Sequence, residues 1–322
     1  MHTKVGKDIV QAKKLLENNE LVAIPTETVY GLAANALSEI AIRKIFKTKN
    51  RPHHNPLIVH VSSIEEVSAI VTNIPPAAHK LMNTFSPGPI TLLLPRNSLI
   101  PDTVTAGLPN VAIRIPAHPL ALKLLSTLSF PLAAPSANIF GYISPTSPYH
   151  VQRQLNGLIP YILDGGNCIS GIESTIVGFD EDLPVVYRLG GISIEQLHQT
   201  IGEVRIHNST NVSTPAAPGM LGQHYSPHTP LYLVDDTSPY IQQFKNTEIG
   251  IICFSHLEKS VPGGQQLILS PNGDLEEAAH NLYAAMHEMD TAGFKIILVR
   301  RFPDVGIGRA MNDRLRRASV KI

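Results

Sequence analysis

Lys49-Asn50-Arg51-Pro52-His53-His54 sets two cations and two histidines in six positions that hold no carboxylate, and Asn55-Pro56 closes the turn. Lysine offers a compact charge and arginine a planar fork matching phosphate oxygens. In an extended segment, residues two apart point to the same side, so Lys49 and Arg51 would face one anion. The turn runs into the apolar Leu57-Ile58-Val59-His60, which would fix it at a strand end. A Lys/Arg pair is ordinarily a solvated surface, but the flanking prolines favour an anion site here. Arg114 and Arg188 sit inside the apolar runs Val111 to Ile115 and Val185 to Leu189. Each either points outward or is buried against a partner. Together with the basic turn they would form a pocket for a carboxylate and a polyphosphate. Ser136 and Ser174 flank strands and would hydrogen-bond a ligand there.

Other chemistries fit less well. No GxxxxGK[ST] or GxSxG occurs. Gly306-Ile307-Gly308-Arg309-Ala310 resembles half of a dinucleotide fingerprint, but no strand follows it, and a tight turn into a helix is favoured. His224 and His228 lack the companions of a zinc set.

The elements that would position these residues belong to an α/β fold. Strand-like runs are Leu21 to Ile24, Pro56 to Val61, Ile90 to Leu94, Val111 to Ile115 and Pro131 to Ala134. Tyr161 to Leu163, Ser174 to Phe179 and Val185 to Arg188 read the same way. Helical spacing links Ile9, Ala12, Leu15 and Leu16, and also Ala41, Ile42, Ile45 and Phe46 behind a Ser38 cap. Leu120, Leu124 and Leu125 mark another helix, Ile194 and Leu197 a shorter one. The N-terminal MHTKVGKDIVQAKKLL lacks a secretory apolar core and reads as one amphipathic helix. Four strands end in proline and polar residues (IPTET, LLPRN, RIPAH, APSAN), which predicts loops collected at one rim of a sheet.

At 322 residues two domains are expected, 1–205 and 231–322, joined by a linker over 206–230. That linker is rich in Pro, Ser, Thr and Asn, yet carries Met220, Leu221, His224 and Tyr225. It either packs across a site or tacks onto a surface. The sequons at Asn208 and Asn211 read as chance matches within it. The second domain reads as a small Rossmann-like layer, with strands Leu231 to Val234, Ile249 to Phe254, Gln266 to Leu269 and Lys295 to Val299. A core helix there carries Leu275, Ala278, Leu282, Ala285, Met286 and Met289. With 26 basic and 26 acidic residues, the chain lacks the excess charge of a nucleic-acid scaffold. Cys168 and Cys253 alone suit a reducing compartment, no apolar run is long enough for a membrane, and a cytoplasmic location is expected.

PTETVYGL (25–32), KNRP (49–52), NPLIVHV (55–61), SPGPITLLL (86–94), VAIRIPAHP, APSAN, STIV and RLGGIS follow one another in an order that resembles the YrdC-like family. The full length is similar to its two-domain members. The resemblance implies a twisted, open, mixed sheet flanked by helices. It implies that L-threonine, bicarbonate or CO2 and ATP yield threonylcarbamoyl-AMP and pyrophosphate, for N6 of adenosine 37 in tRNAs reading ANN codons. It implies a catalytic signature of Lys49, Arg51, Ser136 and Asn138. ATP contacts would come from Lys49, His53, Asn110, Ser136, Ser144, Arg188 and Tyr225. L-Threonine contacts would come from Thr26, His60, Arg114, Ala134 and Ser174. Mg²⁺ is expected on the ATP phosphates without direct protein ligation, Glu27 and Glu173 being the nearest carboxylates. Partners implied are downstream transferase proteins and weak tRNA contact at most. The rivals are a double-stranded RNA or tRNA-binding module and a related ATP-dependent carbamoyl or acyl transferase.

Overall fold

The computed structural model describes residues 2–181, 183–207, 217–220, 224–244 and 248–320. The two sequons and Leu221 lie outside them.

The chain opens with strand β1 (Lys4–Gly6), helix α1 (Ile9–Glu17) and the antiparallel pair β2 (Val22–Ile24) and β3 (Gly31–Asn35). Next come α2 (Glu39–Lys49), β4 (Ile58–His60), α3 (Ile64–Ile70), α4 (Pro76–Phe85), β5 (Ile90–Pro95) and α5 (Asp102–Thr105). Then follow β6 (Asn110–Arg114), α6 (Pro119–Leu125), β7 (Leu132–Ala133), α7 (Pro148–Leu155) and β8 (Tyr161–Leu163). β9 (Thr175–Asp180), β10 (Leu183–Arg188), α8 (Ile194–Ile201) and β11 (Arg205–Ile206) complete the first unit. Among the described residues its eleven strands form one mixed sheet, in the order β1-β8-β2-β3-β7-β4-β6-β5-β9-β10-β11.

Several expectations stand. Ser38 caps α2 through the Ala41 N–H, and Ala41, Ile42, Ile45 and Phe46 are its buried stripe. The helices at Leu120 and Ile194 form as α6 and α8. Others need correction. The N-terminus is not one helix: Lys4–Gly6 pairs in parallel with Tyr161–Leu163, and α1 starts only after Asp8 accepts from the Val10 and Gln11 N–H groups. Strand partners distant in sequence override local periodicity there. Lys49 and Arg51 are not in an extended segment. Lys49 is the last residue of α2, and Asn50 ends the helix in the left-handed conformation at φ 53°. The proline loops do not share one rim either. β5 and β6 are antiparallel, with Pro95 opposite Asn110, so LLPRN and RIPAH leave from opposite ends of that pair. IPTET and RIPAH do meet, the Ala117 N–H donating to Glu27 Oε2, and APSAN lies against the residues just after IPTET, with Gly31 bridging Ser136 and Ala137 donating to the Tyr30 carbonyl.

The second unit contains β12 (Leu231–Val234), α9 (Ser238–Gln243), β13 (Ile249–Cys253), β14 (Gln266–Ile268), α10 (Leu275–Thr291), β15 (Ile296–Arg300) and α11 (Gly308–Ala318). Its sheet is wholly parallel, in the order β12-β15-β13-β14. Ala278, Leu282, Ala285, Met286 and Met289 of α10 are buried as expected. One apolar cluster joins the units, packing Val29, Ile143 and Ile172 with Tyr225, Tyr283 and Met286. No described helix is long and apolar enough to cross a membrane.

Candidate active site

A cavity of about 50 Å³ lies against the first sheet. Its walls include Thr26, Arg51, His60, Arg114, Ser136 and Arg188, and Gly219, His224 and Tyr225 close it from the segment between the units. Two glycines permit the close packing. A Cβ at Gly190 would stand 2.3 Å from the Glu173 carbonyl oxygen, so RLGG can press against the residues that open β9. Gly219 has φ +79°, and a Cβ there would meet the Arg188 guanidinium at 3.1 Å. Met220 and Ala217 pack on Ile58, Ala112 and Ile176, so this segment is docked on the sheet.

The cations divide into two kinds. Arg114 is paired with Glu27 at 2.7 Å and also donates to the Thr28 hydroxyl and the Gly88 carbonyl. Arg51, Arg188 and Lys49 are buried and form no ion pair among the described residues. Arg51 donates to the carbonyls of Asn55 and Pro56, at 3.1 and 2.8 Å. Arg188 donates to the Ser174 carbonyl and hydroxyl. The Lys49 ammonium donates to the Ser136 and Asn138 carbonyls and to Asn138 Oδ1, at 2.6, 2.5 and 3.0 Å. Three acceptors match the three N–H bonds of a charged amine. Burial, and Arg51 next, pull the Lys49 ammonium well below its ordinary value. Burial likewise lowers the Arg51 guanidinium to about 9, with Arg188 adding to the effect. A cluster of buried cations that destabilise one another, with only the Glu173 carboxylate, outside ion-pair range, offsetting Arg188, is a receptor for an anion with several charges. Burial and Arg114 hold His60 neutral, at about 3.

Not all expected site residues reach the cavity. Thr26, Arg51, His60, Arg114, Ala134, Ser136, Arg188 and Tyr225 line it. Lys49, Asn138, Ser144 and Ser174 stand behind the wall: Asn138 binds Lys49 and the Ser136 hydroxyl, Ser144 donates to Glu173, and Ser174 binds Thr91 and Arg188. His53 is exposed, its ring 4.8 Å from that of Phe46. Asn110 stands at the far end of β6 from Arg114, about 13 Å along the strand. Thr28 and the second unit's Arg314 escaped the sequence reading as site residues, whereas Glu173 entered it only as a carboxylate near the Mg²⁺ and His224 only as part of the linker. Arg314 had one signal: it shares a helical face with Ala310, Met311, Leu315 and Ala318, all buried.

The fold and site together define an α/β protein with a buried, cation-rich anion pocket under a crossing segment. The chain belongs to the Sua5/YciO/YrdC family, described as "telomere recombination", whose model matches residues 14–190. A second model, "Threonylcarbamoyl-AMP synthase, C-terminal domain", matches residues 192–320. The threonylcarbamoyl-AMP synthase of Pyrococcus abyssi is 40% identical over 321 residues, covering 96% of this chain and 93% of its own. That of Bacillus subtilis is 39% identical over 320 residues, covering 97% and 92%. The crystal structure of P. abyssi Sua5 complexed with L-threonine superposes with a TM-score of 0.92 at 38% identity, covering 99% of this chain and 98% of that one.

Proposed function

We propose that this chain is an L-threonylcarbamoyladenylate synthase, a nucleotidyltransferase that converts L-threonine, bicarbonate or CO2 and ATP into threonylcarbamoyl-AMP and pyrophosphate. The product serves threonylcarbamoylation of N6 of adenosine 37 in ANN-decoding tRNAs. The observation that carries the reading is the group Lys49, Arg51 and Arg188, buried cations without a carboxylate partner among the described residues, set beside the paired Arg114. A carboxylate oxygen of N-carboxythreonine attacks the α-phosphorus, the bond to the pyrophosphate oxygen breaks, and pyrophosphate leaves. Two anions must meet, so charge neutralisation and alignment are what the protein supplies, with no protein nucleophile.

In this reading Thr26, His60, Arg114 and Ala134 surround threonine, with Ser174 behind them. Ser136, Arg188 and Tyr225 face ATP from the wall, Lys49 and Ser144 act on it from behind the wall, and Arg51 and Asn138 complete the signature. ATP contact by His53 and Asn110 rests on the family resemblance alone. Neutral His60 can accept or donate a hydrogen bond without adding charge. Mg²⁺ travels on the ATP phosphates. The pocket's two carboxylates do not suit direct ligation, because Glu27 is held by Arg114 and Glu173 by Arg314. We assign catalysis to 1–205, the crossing segment to 206–230 and a covering role to 231–322; transfer to tRNA falls to other proteins. An RNA-binding module is disfavoured, because the site's cations are buried beyond the reach of a backbone phosphate.

Mass-spectrometric detection of threonylcarbamoyl-AMP tests the proposal, with threonine, bicarbonate or ATP omitted in turn and Lys49→Ala as control. Product only with all three substrates, and none from the variant, is expected. Product absence from the unaltered protein with Mg²⁺ present would overturn it.

A further inference from the structure

Arg314, on α11 of the second unit, has its side chain only 1% exposed and reaches two residues of the cavity wall, Glu173 and Tyr225, as well as the Leu189 backbone behind them. Its Nε lies 2.8 Å from Glu173 Oε2, and its Nη2 donates to the Leu189 carbonyl at 2.7 Å. Its guanidinium carbon sits 5.1 Å from the centre of the Tyr225 ring, over the face. The other hydrogen bonds to Glu173 come from uncharged groups: Ser144 Oγ at 2.7 Å and the Tyr283 hydroxyl at 3.0 and 3.2 Å. The next residue, Ser174, is the one whose carbonyl and hydroxyl orient Arg188, and Leu189 is the one that follows Arg188.

Resting on the reaction proposed above, we infer that Arg314 is a positioning residue for that reaction: it cancels the Glu173 charge at the anion pocket and fixes the Ser174–Arg188 and Tyr225 walls. The second unit thus completes the site electrostatically. Burial by itself would push the Glu173 carboxyl up, but Arg314 and Arg188, with the hydrogen bonds from Arg314 and Ser144, hold it down at about 2. Without Arg314 a buried carboxylate would face incoming phosphates and draw Arg188, the nearest remaining cation, toward itself. Both effects weaken ATP binding before they touch the chemical step. Arg314 also holds Asp313 at 2.7 Å, but Asp313 pairs with Arg317 as well and so keeps a counter-charge.

A charge cycle tests this in the full chain. Arg314→Met removes the cation at similar size, and Arg314→Met/Glu173→Gln removes the carboxylate as well. Arg314→Met is expected to lose about 100-fold in kcat/KM for ATP, mainly through KM. The double variant is expected to regain about tenfold of that, because the charge that needed cancelling is gone. A purely structural role predicts the reverse, with the two changes adding. Wild-type KM and kcat in Arg314→Met, or a double variant no better than the single one, would overturn the inference. Should Arg314→Met fail to fold, the double variant decides: activity within about tenfold of wild type supports the inference, and a hundredfold loss sinks it. Wild-type protein assayed alongside separates the readings, since its failure to form product removes the proposed reaction itself.

Discussion

Two hollows among the described residues can be compared through a pair of arginines in each, and they differ in burial, charge pairing, volume and topology. One is the cavity under the crossing segment, with Arg51 and Arg188. The other is the crevice at the carboxyl ends of β13 and β15, about 230 Å³ in volume, with Arg300 and Arg301. The connections from those two strands run opposite ways, to β14 and to α11 beside β12, so the crevice is a topological switch point where α/β sheets commonly bind ligands. It is also the larger hollow. Yet Arg300 and Arg301 have side chains 59% and 45% exposed and are paired with Glu258 and Asp235, at 3.6 and 2.8 Å. The buried pair has only carbonyl and hydroxyl oxygens as acceptors. An arginine already neutralised by a carboxylate in water gains little from a new anion, whereas a buried one without a carboxylate gains much. Volume and topology point to one hollow, and electrostatics points to the other.

The hardest test of that contrast is Arg188→Ala. It removes a desolvated donor from the place where phosphate charge redistributes, and kcat/KM should fall about 100- to 1000-fold. Steady-state pyrophosphate release with saturating threonine and bicarbonate measures it, and a loss below about fivefold would place the chemistry elsewhere. The next effect concerns coupling. Tyr225 is buried, closes the cavity and holds φ at 69°, a conformation rarely adopted by a residue with a side chain. Tyr225→Ala should open the pocket to water, so that pyrophosphate released exceeds threonylcarbamoyl-AMP recovered by about threefold or more. Tightly coupled turnover in that variant would refute the closure.

What could be read from the sequence follows a physical divide. The α10 stripe and the Ser38 cap are local patterns, and local patterns survive folding. Arg114 and Arg188 stood out because cations in apolar strands are conspicuous. The Lys-x-Arg pair was legible as chemistry but not as geometry: Lys49 ends a helix and turns inward to Asn138, a residue 89 positions away. β1 was hidden because three residues of no marked pattern form a strand only when β8 lies beside them. Arg314 was hidden for the opposite reason. Nothing local in the four arginines among the eleven residues of α11 marks one for burial, and only the docking of the two units on one another buries it.

Acid should act on the buried interior through its histidines. Burial, with Arg114 and Arg51 respectively adding to it, holds His60 and His224 at about 3. Burial sets His287 at about 3 and His150 at about 4, their rings stacked 4.1 Å apart where α7 meets α10. All four are neutral when folded and take up protons more readily when unfolded, so the unfolded state binds more protons at acid pH. Their stabilisation is complete above about pH 6.5 and is lost as pH falls toward about 3, or about 4 for His150, with a slope of about 1.4 kcal/mol per pH unit for each fully buried histidine. Glu173 adds nothing between pH 7 and 5, because its contribution is lost only as pH falls from about 4.5 toward 2. Thermal midpoints between pH 7 and 5 should therefore fall steadily. A flat profile would mean that these rings are not held neutral.

The smallest expected effect is the one that most directly pits the two hollows against each other. Arg301→Ala breaks an exposed pair with Asp235, whose side chain is 82% exposed, and such pairs contribute about 0–1 kcal/mol. Activity should stay within about twofold of wild type and stability within about 0.5 kcal/mol. The same substitution type that disables the buried site is then nearly silent in the larger crevice. A tenfold loss from Arg301→Ala would show that the open, carboxylate-paired hollow takes part in catalysis. The ranking of the two by burial and charge pairing would then have to be abandoned in favour of volume and topology.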